Sequence, residues 1–336
     1  IASCLVGSEM CIRDSPMTAT PVLATTATAT TRAGRLDYLD AVRGIASMLV
    51  VVHHTLESLS DAYSDWSHSH VDLGRLGVVA FFVVSGYVVG LTLSKQTPYT
   101  FSVRRFWRLY PIYWLATALS VIVWIATGHE WTQDLGLVTI VANILMIQGF
   151  IGAYSILGVA WTLGIEIAFY AQSVVTKLAR LLDKSAWLGF AWLGVFAAMA
   201  VSNWQRGTSF SAVVPLMMFT ASLGFAIYRW DKHRDRTLWW LLGAAITVVP
   251  VLGWMLATTQ DQPGVWPAMG FNSSYLGGLA LFGVLYLFRT RTAPHWLLWL
   301  GAVSYSLYLT HTTVIQLVGA TPLWGAGAVV ASVAVV

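Results

Sequence analysis

"RGIASMLVVVHH", residues 43–54, is the stretch on which the fold turns. It is an apolar run fit for a membrane helix, yet it opens on Arg43 and closes on His53 and His54. Ionisable groups at bilayer depth are costly, and those that persist there usually face a protein interior or a water-filled cavity. Eleven positions separate Arg43 from His54. At roughly 100° and 1.5 Å per residue, His54 returns to within about 20° of the Arg43 face, some 16 Å further along. His53 points about 80° away from that stripe. Glu57, three residues beyond His54, lies within reach of its ring.

The rest of the chain fits a membrane setting. Of 336 residues, 57% are hydrophobic and 10% charged, against about 25% charged in soluble domains. Apolar segments long enough to span a bilayer recur at 37–57, 74–93, 110–128, 135–150, 157–177, 186–202, 210–228, 238–257, 269–288 and 297–318, and a last one begins near Leu323. The expected class is all-α, a polytopic transmembrane helical bundle. The net charge of +4 reflects Lys and Arg in short loops and implies no nucleic-acid partner.

Charge placement sets the topology. Lys and Arg concentrate at 95–108, 177–184, 229–236 and 289–291, and the loops between them hold few. Under the positive-inside rule these clusters face the cytoplasm, as does the N-terminus with Arg32 and Arg35. The alternation holds only if 135–150, short and carrying Asn143 and Gln148, does not cross. It is read as a re-entrant or interfacial segment beside about ten crossings, with both termini cytoplasmic. Residues 1–16 read as a sequencing or assembly artefact, so the expected start is Met17. Both cysteines, Cys4 and Cys11, then fall away, and thiol and cysteine-metal chemistry with them. Residues 17–34 read as a disordered Ala/Thr-rich cytoplasmic tail. Residues 35–336 form the membrane domain, expected to be truncated at its C-terminal end.

"LDAVRGIASMLVVVHH" resembles the first helix of the acyltransferase type 3 family of integral membrane O-acyltransferases. The resemblance continues in order through "GVVAFFVVSGYVV" (77–89), "RRFWRLYPIYWL" (104–115), "WTLGIEIAFY" (161–170) and "SYSLYLTH" (304–311). The chain departs at Val79–Ala80, where an acidic residue is frequent, and at Ile167 and Ala168 after Glu166.

The resemblance implies transfer of an acyl group, most often acetyl, from cytoplasmic acyl-CoA to a hydroxyl of a carbohydrate, lipid-linked glycan or similar acceptor. It implies an enzyme of the bacterial inner (plasma) membrane. It makes His54 the catalytic residue, assisted by Glu166 or Glu57. Arg105 and Arg108 would hold the CoA phosphates, and Arg43 would lie along the thioester's route. Asp40, Trp161, Tyr308 and His311 would contact or orient substrate.

Residue chemistry alone leaves choices open. A guanidinium pair suits phosphates, but it also suits positive-inside anchoring at lipid headgroups. A histidine such as His54 is fit to take a proton near neutral pH, and equally to bond helices together. His311 shares a helix face with Ser304 and Tyr308 and suits a structural or orienting role. Ser85–Gly86 reads as close helix packing. His68 and His70, in "DWSHSH", lack a closed ligand set, so no metal is expected. A secondary transporter or non-catalytic conduit is the alternative, although internal repeats of the transporter kind are not visible.

Overall fold

The computed structural model describes residues 30–128, 136–208, 211–258 and 267–320. These residues form helices α1 (Thr30–Leu59), α2 (Asp61–Ser69), α3 (Leu73–Leu93), α4 (Pro98–Ala126), α5 (Leu137–Leu145) and α6 (Gln148–Ile151). They continue with α7 (Trp161–Leu178), α8 (Leu188–Arg206), α9 (Val213–His233), α10 (Thr237–Thr258), α11 (Ala268–Leu287) and α12 (His295–Gly319). The described residues contain no strand. Among the described residues, eight helices are long and apolar enough to cross a membrane. With Ser304, Thr310, His311 and Gln316 along it, α12 is less apolar; its 25 residues are long enough to span at about 1.5 Å each.

Local chemistry explains the helix starts. Asp72 caps α3 by accepting the Arg75 amide at 2.8 Å, and Thr97 caps α4 by accepting the Thr100 amide at 3.1 Å. Pro98 sits at the first turn of α4, where its missing N–H costs nothing. Helix α4 therefore begins well before the expected 110, and Arg104, Arg105 and Arg108 are helical rather than in a loop. The loop expected after the first span contains α2, capped by Ser60. Helix α1 reaches back to Thr30, into the stretch expected to be tail. The rest of that tail, the first sixteen residues and the span expected from Leu323 lie outside the described residues.

Buried α3 is the central element, packed against α1, α9 and α11, while α1 lies along α12. The helices alternate in direction between two ends of the bundle. One end gathers the start of α1, the end of α3 and the start of α4, and the end of α7 through Lys177, which donates to the Leu93 and Gln96 carbonyls. The other gathers the end of α1, the starts of α3, α7, α9 and α11, and the end of α10. The basic clusters at 95–108, 177–184, 229–236 and 289–291 all stand at the first end, here called the basic end. Arg75 and Arg206 stand at the other, the histidine end.

This alternation accounts for 135–150. Helix α4 ends, and α7 begins, at the histidine end, so the segment between them returns to its own side. Nine residues in α5 reach only about 13 Å. The segment instead lies against the outer side of α4, burying Ala142, Asn143, Met146 and Gln148 and leaving most of its apolar side chains exposed. Tyr113 donates to the Asn143 carbonyl at 2.8 Å and Trp114 to the Ile144 carbonyl at 3.1 Å, both from the middle of α4. Asn143, buried, donates to Tyr154 and accepts from the Ile156 amide, so its polar groups are satisfied at depth. A reporter fused after Ser185 is therefore expected to read the same side as one fused after Lys95, and the opposite side from one after Arg206. The same side for Ser185 and Arg206 would contradict the alternation.

Candidate active site

Helix α1 carries one ionisable group to each end. At the basic end Arg43 lines a cavity of about 300 Å³ together with Arg105 and Arg108 of α4, Glu166 and Tyr170 of α7, and Ser85 of α3. Its deeper wall is apolar, with Phe81, Phe82 and Leu163, and it reaches Val78 and Tyr308. Arg43 stands 3.6 Å from Asp40, one helical turn back. Arg105 is held over the rings of Phe101 and Tyr170, at 5.1 and 4.9 Å, and donates to Thr92 Oγ1 at 3.2 Å. Such packing fixes the plane of the guanidinium. Arg108 is exposed at the cavity mouth. The Glu166 carboxylate accepts from Ser85 Oγ at 2.7 Å and from the Tyr170 hydroxyl, one turn along α7.

At the histidine end a second cavity, of about 640 Å³, is lined by His53, His54, Asp72, Trp161 and Tyr308 among others. His54 Nδ1 lies 2.9 Å from His311 Nε2, with the rings stacked at 5.0 Å. His311 Nδ1 lies 2.8 Å from the Tyr308 carbonyl oxygen. A carbonyl only accepts, so His311 Nδ1 must carry hydrogen, and in the neutral ring Nε2 is then the acceptor. His54 Nδ1 is accordingly the donor, and its Nε2 holds the lone pair. The chain of partners selects the tautomer of His54 that can act as a base through Nε2. Close approach of α1 and α12 makes this contact possible. A Cβ on Gly301 would run into the Asp40 carbonyl, a backbone atom that cannot step aside.

His53 belongs to a different network. Its Nε2 faces Asp72 at 3.1 Å and Glu57 at 3.3 Å, and Tyr63 of α2 meets its Nδ1 at 3.3 Å. Glu57 also meets His68 Nε2 at 3.6 Å. His53 thus ties α1 to α2 and α3. The ligating atoms of His53, His54 and Glu57 lie within 4.8 Å of one another. Both nitrogens of His53 and Nδ1 of His54 are already engaged by protein groups.

The expected site residues divide between the two cavities. Asp40, Arg43, Arg105, Arg108 and Glu166 gather at the basic end, His54 and Trp161 at the histidine end, and Tyr308 borders both. Neither expected carboxylate is hydrogen-bonded to His54. Glu166 pairs with Ser85 and Tyr170, and Glu57 with His53 and His68; His54 is paired by His311 instead. The about 80° turn at His53 does not take it out of the cavity. Ser85 is more than a packing residue, since its hydroxyl serves Glu166. Tyr170 carried a readable signal, lying four residues after Glu166 on one helix face. Thr92 and Tyr305, which also line the basic-end cavity, carried none.

Comparison with known proteins follows the same residues. The family model described as "Acyltransferase domain" matches residues 36–335. The chain is 28% identical over 274 residues to the exopolysaccharide production protein ExoZ of Rhizobium meliloti (strain 1021), covering 74% of this chain and 79% of that one. It is 25% identical over 307 residues to the putative membrane-bound transacylase BcsY of Komagataeibacter xylinus, covering 81% and 71%. Nodulation protein 10 of Rhizobium leguminosarum bv. viciae is 26% identical over 278 residues, with 71% of each chain covered. No solved structure matches.

Proposed function

The chain belongs to the acyltransferase type 3 family and is a multi-pass membrane acyltransferase, and from that premise we propose how the two cavities divide the work. Acyl-CoA binds at the basic end, which faces the cytoplasm of a bacterial inner membrane. The acyl group, acetyl by family resemblance, passes to a hydroxyl held at the histidine end. The acceptor is a carbohydrate or lipid-linked glycan, in keeping with a relative whose name refers to exopolysaccharide production.

The observation that carries this reading is that two cavities, one with three arginines and one with a histidine base, adjoin at Val78 and Tyr308. Arg105 and Arg108 hold CoA phosphates through planar, always-charged groups. Arg43, deeper on α1, lies where the thioester carbonyl would develop negative charge. His54 Nε2 takes the acceptor's hydroxyl proton as the oxygen attacks the thioester carbon; the C–S bond breaks, and the thiolate leaves on the arginine side. His311 holds the His54 ring and its tautomer, as a third group does in other activated-base sites.

The donor half is tested by Arg108→Ala. The side chain is exposed, so its loss should leave the fold intact. Acyl-CoA affinity is expected to fall roughly tenfold, about 1.4 kcal/mol, with Arg108→Lys restoring only part of it. Arg105→Ala should weaken binding too, with some loss of packing against Tyr170. Unchanged acyl-CoA affinity in both alanine variants would return the pair to headgroup anchoring.

A further inference from the structure

We propose that the transfer reaction separates its protons: the acceptor's proton leaves at the histidine end through Glu57 and His68, while CoA thiolate takes one up at the basic end. This rests on the donor and acceptor sides assigned above. The reaction is RCO–S–CoA + R′OH → RCO–OR′ + CoA–SH. The acyl group crosses without charge. If one proton is released at the histidine end and another consumed at the basic end, each turnover moves one positive charge outward across the membrane.

What favours separation over internal return is where the hydrogen bonds stop. From His54 the chain runs to His311 and then to the backbone carbonyl of Tyr308, which has no proton to pass on. The Tyr308 hydroxyl pairs with Thr162 Oγ1 at 2.8 Å, and both hydroxyls reach the Val159 carbonyl, at 3.2 and 3.0 Å. That branch also ends on a backbone carbonyl. On the far side Glu166 receives hydrogen bonds from Ser85 and Tyr170. Among the described residues no side-chain hydrogen bond joins the two sets.

Outward, the groups follow one another at short spacings that stop short of hydrogen bonds. Glu57 and His54 have ligating atoms within 4.8 Å, and Glu57 Oε1 lies 3.6 Å from His68 Nε2, whose side chain is 39% exposed. The other charged groups facing this cluster are Asp72 and Arg75 of α3, with Tyr63 of α2 beside His53. Asp72 already caps α3 and lies 3.9 Å from Arg75. That leaves Glu57, with its side chain 25% exposed, as the carboxylate placed to take a proton and release it.

The test uses the full chain in proteoliposomes with the basic end outward, acetyl-CoA outside, and dextran oligosaccharide with a pH-sensitive dye trapped inside. Ester on the trapped sugar should form with one lumenal proton per ester, and a lumen-positive potential should slow it. Glu57→Gln should slow turnover about tenfold, and lumenal imidazole, a mobile proton carrier, should restore most of the rate. Rescue by a proton carrier would not follow from a merely structural loss. Ester formation with no lumenal acidification and no response to potential would overturn the proposal while leaving the acyltransfer reading in place. An unchanged rate in Glu57→Gln would overturn the route. Absence of ester even with dextran supplied on both sides would overturn the acceptor reading on which the proposal rests.

Discussion

His54→Ala is expected to reduce acyl transfer by about 10²–10⁴-fold, the usual contribution of a positioned general base, and to leave acyl-CoA affinity nearly unchanged. The two outcomes separate because the donor's arginines lie in the basic-end cavity, whereas His54 lines only the other. Transfer to acceptor and equilibrium binding of acyl-CoA, measured on one preparation, check both halves. His311→Leu should give an intermediate loss of transfer. It removes the His311 acceptor from His54 Nδ1 and loosens the hold on the tautomer whose Nε2 must be bare. His53→Ala removes a different set of contacts, since His53 meets Glu57 of its own helix and links α1 to Tyr63 of α2 and Asp72 of α3. It should lower thermal stability more than His54→Ala does. Full transfer activity in His54→Ala would remove the base from the mechanism.

Gly86→Val is expected to unfold the bundle or lower its melting temperature sharply. Helices α3 and α9 cross there at backbone contact, and any Cβ at position 86 would overlap the Ala221 carbonyl, with the Phe225 amide close behind. The obstacle is helix backbone, so relief requires α9 to move as a body. Overpacking in well-packed interiors costs about 1–3 kcal/mol and sometimes more, and a backbone obstacle puts this site at the upper end. Gly86→Ala should act in the same direction and more weakly. Detergent-solubilised protein followed by size-exclusion chromatography after heating reads both variants. Because α3 also carries Ser85 to Glu166, survivors should show impaired transfer as well as lowered stability. A wild-type melting temperature for Gly86→Val would show that the helices do not meet at this point.

Much of this was legible along the chain. Helix content, the non-crossing segment at 135–150 and the clustering of basic residues at one end follow from apolar run lengths and from Lys and Arg placement. Both are one-dimensional properties set by bilayer thickness and surface charge. The separation of Arg43 from His54 along α1 is equally one-dimensional, because rise per residue is constant in a helix. Thus the arginine and the histidine could be placed at different depths before any packing was known.

Pairing across helices could not be read this way. Periodicity says which residues share a face of one helix, and says nothing of which face another helix presents at the same height. Glu166 looked available to His54, yet the crossing of α3 and α7 gives it to Ser85 and Tyr170. Glu57 lay close to His54 in sequence, yet α2 and α3 close around it and His53. The amino-acid sequence by itself determined most of the long helices, their alternation and the separation of Arg43 from His54 along α1, though not α2 or the early start of α4. Tertiary structure alone decided that His311 holds His54, because that contact depends on how closely the α1 and α12 backbones approach at Gly301, 257 residues beyond Gly44 in the chain.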